Sequence, residues 1–244
     1  MAIRLALAMV CLQAAIGATN DLVDAPRDKG HKPGKPIPSG LVAPAEARLV
    51  AIVAAIAGLL LSIPSGPATT GLAALILTIG LLYDLRLRGT AWSWLPFALG
   101  IPLLPVFAWL GGTGHLPSLL AILVPAGFAA GAALAIANAL VDVERDRSAG
   151  SSSVVDRLGV EPAWALHAML HALVAAVALA SLAGVGATLV ALVLALAGAV
   201  GIAAGVVLAR GTRPRERERG WELEAVGVAV LAVGWVLGIA PLAG

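Results

Sequence analysis

NDLVDAPRDKGHKPGKPIPSG, residues 20–40, is the stretch in which this chain concentrates its polar chemistry. Asn20, Asp21, Asp24 and Asp28 form N-D-x-x-D-x-x-x-D, and Lys29, Lys32 and Lys35 follow at once. An apolar segment, 2–19, ends where it begins, and another, 41–63, starts where it ends. Three carboxylates at a membrane edge beside a basic loop suggest a site for a divalent cation and an anionic oxygen ligand. Mg²⁺ binds through one or two carboxylates plus substrate phosphates, so a diphosphate is the natural partner. The alternative is a solvated loop that only keeps charge out of lipid.

The composition supports a membrane setting. Of 244 residues, 60% are hydrophobic and 12% charged, and mean hydropathy is +0.96. Soluble domains carry about 45–50% apolar and about 25% charged residues. The single cysteine, Cys11, lies inside an apolar run, which excludes an intramolecular disulfide and a cysteine metal cluster. The net charge of +2 says little; its distribution says more.

A helix crosses the bilayer core with about 20 apolar residues. Eight candidate spans follow: 2–19, 41–63, 67–83, 91–110, 117–139, 160–182, 185–209 and 222–241. They lack two-residue alternation and are rich in Ala, Leu and Gly, which argues for helices over strands. Connectors with turn residues and no formal charge alternate with charged ones at 20–40, 84–90, 140–159 and 210–221. Loops rich in Lys and Arg face the cytoplasm, so the four charged connectors are expected there. Trp92, Trp94, Trp164 and Trp221 at that side and Trp109 at the other fit interfacial anchors, while the deeper Trp235 reads as packing. Residues 1–19 lack a cleavable small-residue motif and read as a span, not a signal peptide. Gly127-x-x-x-Gly131 and Gly201-x-x-x-Gly205 read as close helix contacts.

The third charged connector repeats the acidic theme. Asn138, Asp142 and Asp146 are spaced i, i+4, i+8, which predicts one face of a continuing helix. In the first motif Pro26 is expected to interrupt the helix and leave Asp28 on a loop or restarted turn. Between the motifs lies Tyr83-Asp-Leu-Arg-Leu-Arg-Gly89. In an extended loop Arg86 and Arg88 would point the same way, and a guanidinium fork suits phosphate; the other reading is an ordinary positive-inside anchor. His167 and His171 stand at metal-ligand spacing, but their span offers no third ligand, so packing is expected. The run from Arg210 to Arg219 reads as an anchor for anionic headgroups.

These residues together resemble the UbiA superfamily of intramembrane prenyltransferases. The first family motif, followed by a basic residue and P-[IL]-P-S-G, matches Asn20 to Asp28 and Lys35 to Gly40. Its Y-[SD]-x-x-[LM]-[KR] loop resembles Tyr83 to Arg88, its D-V-E-x-D-R motif matches Asp142 to Arg147, and Asp156-Arg-Leu-Gly159 resembles the run that often follows. Ala139 and Ser151-Ser-Ser153 depart from it where many members have an acidic residue and lysine with threonine.

The resemblance implies a single all-α transmembrane bundle over residues 1–244, a multi-pass protein of the cytoplasmic or inner membrane. It implies transfer of a prenyl group from a prenyl diphosphate to an aromatic or lipid acceptor, with membrane lipid as surroundings and no nucleic-acid partner. Asp21, Asp24 and Asp28 would hold one Mg²⁺, and Asp142 with Asp146 a second. Lys35, Arg86 and Arg88 would neutralise the diphosphate, and Asn20 and Asn138 would position ligands or water. Both acidic clusters would then share one cavity at the cytoplasmic end. Cyclisation of the isoprenoid, lipid-linked phosphoribose synthesis and an inactive homologue are the alternatives. The family places its first motif at the end of a second helix, whereas one span precedes it here. The family's first helix is therefore expected to be missing, with a groove beside residues 2–19.

Overall fold

The computed structural model describes residues 1–29, 34–148, 150 and 152–240, with the backbone alone for Arg27, Arg145, Asp146 and Ser148. Most of the described residues are helical, and none of them forms a strand. In chain order the helices are α1 (Ala2–Asp28), α2 (Pro44–Ser62), α3 (Pro67–Leu82), α4 (Leu95–Thr113), α5 (Leu120–Val141), α6 (Val143–Ser148), α7 (Val154–Leu158), α8 (Val160–Val185), α9 (Leu189–Leu208) and α10 (Pro214–Ile239). Eight of them are long and apolar enough to cross a membrane, all but α6 and α7. The eight expected spans are all present.

Local sequence explains the starts. Pro44, Pro67 and Pro214 each open a helix, where the missing N–H would have had no partner and φ is already helical. Glu46 adds its carboxylate to the backbone N–H of Ala43 at 2.8 Å, closing the α2 N-terminus.

Four boundaries depart from the expectations above. α1 runs through Pro26 to Asp28 and is not interrupted there. Proline removes one ladder bond and crowds the preceding turn, but only two helical residues follow it, so the loss stays at a fraying end. The helix over 138–146 does not continue. Asp142 leaves helical geometry at φ −100° and ψ 6°, and α6 restarts at Val143. Tyr83–Leu87 is a π-helical turn and not an extended loop, closed by the Arg88 N–H donating to the Tyr83 carbonyl at 2.9 Å. Such turns re-aim side chains at the end of an α-helix. α10 also begins at Pro214, ahead of the expected start, and draws part of the basic run into the helix.

The chain divides into two compact units. The first comprises Met1–Arg88 and Leu103–Leu116. Its core is Leu5, Ala8, Leu12 and Ala15 of α1, Ala73, Ile76 and Leu77 of α3, and Phe107 of α4. Arg4 ties the far end of α1 to the α2 terminus, donating to the Leu61 carbonyl at 2.6 Å and the Ser65 hydroxyl at 2.7 Å.

The second unit comprises Gly89–Pro102 and Pro117–Gly244. α9 and α10 form its tightest pair. A methyl group on Gly205 would stand 2.6 Å from the Gly220 carbonyl, so only glycine lets the two backbones approach so closely. Gly131 of α5 likewise lies against the Phe97 backbone, so both small-residue patterns contain a close backbone approach. Trp235 is buried and donates its indole N–H to Ser181 at 2.6 Å, the packing role expected of it. Ile3, Val10, Val200 and Val207 are exposed, as lipid-facing side chains are.

Candidate active site

The first acidic motif lies on the last two turns of α1. Spacings of three and four put Asp21, Asp24 and Asp28 on one helical face. All three converge on the ammonium of Lys35: Nζ lies 2.8 Å from Asp21, 3.5 Å from Asp24 and 2.8 Å from Asp28. Asp24 and Asp28 are buried, Asp21 half-buried. Burial works against the charge on Lys35, but hydrogen bonds to Asp21 and Asp28 outweigh it and hold its pKa well above the ordinary lysine value. Lys32 lies outside the described residues.

Arg88, at the exit of the π-turn, meets the other oxygen of Asp24 at 2.6 Å, an ion pair without hydrogen-bond alignment. Arg86, on the same turn, is exposed. The same turn carries Asp84, which is 3% exposed and accepts a hydrogen bond from the Asn20 amide at 2.9 Å. Sequence reasoning gave Asp84 no role. The available signal was a carboxyl group ending an apolar run, where ionisable residues are functional candidates by default.

These donors suit a hard divalent cation. Three carboxylates already surround one positively charged atom, and Mg²⁺ takes few protein ligands when phosphate oxygens complete its shell. Among the described residues no group of three His, Cys, Asp or Glu forms a ready-made metal cage. The cation that organises this motif is the lysine.

The second acidic motif lies in the other unit. Asn138, on the last turn of α5, and Asp142, at the break, are half-buried. Val143 packs with Leu140, Val155 and Ala163, fixing the start of α6. The side chain of Asp146 lies outside the described residues. Glu144, between the two aspartates in sequence, is paired with Arg217 of α10. At the far end of α6, Arg147 meets Asp156 at 2.8 Å.

Asp156 also accepts from the Ser153 N–H at 3.0 Å and from its hydroxyl at 2.8 Å, the reciprocal cap that starts α7. Burial raises the Asp156 pKa, but the bonds from Arg147 and Ser153 outweigh it and leave the carboxyl below its usual range. Ser151 lies outside the described residues, and Ser152 donates its N–H to the Gly89 carbonyl at 3.0 Å.

The histidine pair has a partner that its own span could not reveal. Glu224 of α10 is fully buried between His171, at 3.2 Å, and His167, at 3.4 Å. The role remains a packed polar contact between α8 and α10, now with a named carboxylate. Trp164 donates to the Val206 carbonyl at 3.0 Å, and Arg210 stacks 4.2 Å above its ring.

Both acidic motifs lie at the ends of apolar helices, and the first is paired with Lys35 and Arg88. Residues 1–223 match the UbiA prenyltransferase family. The chain belongs to it. Membership and eight apolar helices together make it an integral multi-pass membrane protein.

An 81-residue segment, 33% of the chain, is 44% identical to the digeranylgeranylglyceryl phosphate synthase of Sulfolobus acidocaldarius, of which it spans 29%. Solved structures share the fold. A UbiA homologue from Aeropyrum pernix superposes with a TM-score of 0.78 at 20% identity, covering 96% of this chain and 88% of that one. A UbiA homologue from Archaeoglobus fulgidus bound to GPP and Mg²⁺ gives 0.66 at 18% identity, with 96% and 87% covered.

Proposed function

We propose that this protein transfers a prenyl group from a prenyl diphosphate to an acceptor within the membrane, with Mg²⁺ as cofactor. The observation that carries this reading is the gathering of Asp21, Asp24 and Asp28 round one cation at the end of an apolar helix, in a UbiA family chain. The homologue solved with GPP and Mg²⁺ supports the donor and the metal. The Sulfolobus relative favours a lipid acceptor over an aromatic one.

Asp21, Asp24 and Asp28 would hold one ion, and Asp142 with Asp146 a second. Bound Mg²⁺ supplies positive charge against the negative charge that grows on the departing diphosphate. Arg88 and Lys35 lie beside the first motif and donate to phosphate oxygens, Arg88 through its planar fork. Arg86, exposed at the same turn, attracts the incoming anion at longer range. Asn20 fixes Asp84, and Asn138 positions a ligand or water. The apolar helices hold the isoprenoid and keep water from an allylic cation. With the charged connectors cytoplasmic, the diphosphate enters from that side.

Incubating purified protein with labelled geranylgeranyl diphosphate, Mg²⁺ and either a prenylglyceryl phosphate or an aromatic acid tests the reading. Prenylated lipid should form, EDTA should stop it, and Asp24→Asn should lower turnover at least about a hundredfold, the scale of losing one transition-state electrostatic contact. Turnover that persists in EDTA overturns the metal-dependent mechanism, and cyclised isoprenoid without acceptor overturns transfer.

A further inference from the structure

We infer that Asp84 is a positioning residue for the first acidic motif, acting through Asn20 and through the turn that carries Arg88. The inference rests on the reading that Asp21, Asp24 and Asp28 take Mg²⁺ and a diphosphate. Asp84 is 3% exposed, and its Oδ1 accepts from the Asn20 amide at 2.9 Å. Its Oδ2 is buried without a hydrogen-bond partner. Arg88, Asp24 and Asp21 are near enough for their charges to act on it. Burying a carboxylate beside two others is costly, and packing alone would favour an apolar side chain there.

The register of two contacts explains what this carboxylate does. Asn20 and Asp24 stand one turn apart on α1. Asp84 meets the first at 2.9 Å, and Arg88 meets the second at 2.6 Å. Asp84 lies near the start of the π-helical turn Tyr83–Leu87 and Arg88 at its exit, so the turn is pinned to α1 near both of its ends. Turns of this kind are frequent at functional sites. Without the Asp84 contact one end is released, and Arg88 loses its fixed place against Asp24.

The bond that holds Asp84 also holds Asn20. An ionised carboxylate only accepts, so it meets an amide through the nitrogen. Asn20 is thereby kept with Nδ2 towards Asp84 and its oxygen on the other arm of the amide, where it can meet a cation or its water. An asparagine at position 84 could donate as well as accept, and would not fix that sense. Groups that orient the ligands of a metal are worth about 10–100-fold in affinity or activity.

The test compares Asp84→Ala, Asp84→Asn, Asn20→Ala and the double variant Asn20→Ala with Asp84→Ala against wild type. The readouts are Mn²⁺ affinity by electron paramagnetic resonance, KM for geranylgeranyl diphosphate and the thermal midpoint. Asp84→Ala should weaken Mn²⁺ binding and raise KM about 10–100-fold. In the Asn20→Ala background it should weaken Mn²⁺ binding no further, as expected of two halves of one contact. Asp84→Asn, which keeps the shape and permits the bond in either sense, should show a smaller but measurable loss of Mn²⁺ affinity. It carries the test even if Asp84→Ala fails to fold.

Multiplying losses of Mn²⁺ affinity in the double variant would overturn the inference, because Asp84 would then act without Asn20. So would Asp84→Asn matching wild type, or a lowered thermal midpoint with Mn²⁺ affinity and KM unchanged. A wild-type protein that binds no Mn²⁺, or an Asp24→Asn variant indistinguishable from it, would overturn the metal reading itself and the inference with it.

Discussion

At the scale of residues, the first motif is a charge problem solved by a lysine. Three carboxylates on one helical face repel one another, and Lys35 offsets this by standing within 3.5 Å of all three. Replacing Lys35 with Met should therefore destabilise the metal-free protein and make it depend on an added cation. Binding to the folded state alone raises stability by mass action. The rise in thermal midpoint on adding millimolar Mg²⁺ should be larger in Lys35→Met than in wild type, by several degrees in a melt followed by circular dichroism. Equal rises would show that lysine and metal do not use the same carboxylates. The carboxylate spacing was legible in the sequence because it repeats within one helix. Asp84, Glu224 and Arg217 were not, because each acquires its meaning from a residue more than fifty positions away.

At the scale of elements, sequence reasoning misjudged how two breaks fall. Pro26 looked like a stop, yet it sits where a helix is already ending; Asp142 looked like a helix interior, yet the chain turns there. Proline's cost depends on how many ladder bonds lie beyond it, and the Asp142 break depends on Val143 entering a core that periodicity alone does not place. The small helix α7 offers a direct check on how this segment is held. Asp156 has its folded pKa depressed, so its contribution is present above the unfolded carboxyl value of about 3.9 and is lost as pH falls through the folded value. The thermal midpoints of wild type and Asp156→Asn should therefore differ near neutral pH and converge as the pH falls below the ordinary carboxyl range. Ser153→Ala, which removes the hydroxyl half of the cap, should cost about 1 kcal/mol near neutral pH. A constant gap between wild type and Asp156→Asn across the acid range would show that the carboxylate charge plays no part in fixing this turn.

At the scale of the whole molecule, the number of spans was legible because lipid demands long uninterrupted apolar runs, and nothing tertiary is needed to see them. The side on which each connector lies follows from charge. Lys and Arg concentrate in 20–40, 84–90, 140–159 and 210–221, while the connectors between them carry no formal charge. If this asymmetry sets the orientation, both acidic motifs share one side, as a common anionic substrate requires. A chain with its only cysteine replaced, Cys11→Ala, permits a direct measurement. A cysteine substituted for His115, exposed in an uncharged connector, should react with a membrane-impermeant maleimide in intact cells. A cysteine substituted for Arg215, exposed ahead of the last span, should react only after the membrane is opened. Cysteines introduced at the exposed Gly34 and Gly150, in the two acidic connectors, should follow the Arg215 pattern. Labelling of positions 34 and 150 from opposite sides would place the two motifs across the bilayer from each other, and no single diphosphate could then engage both.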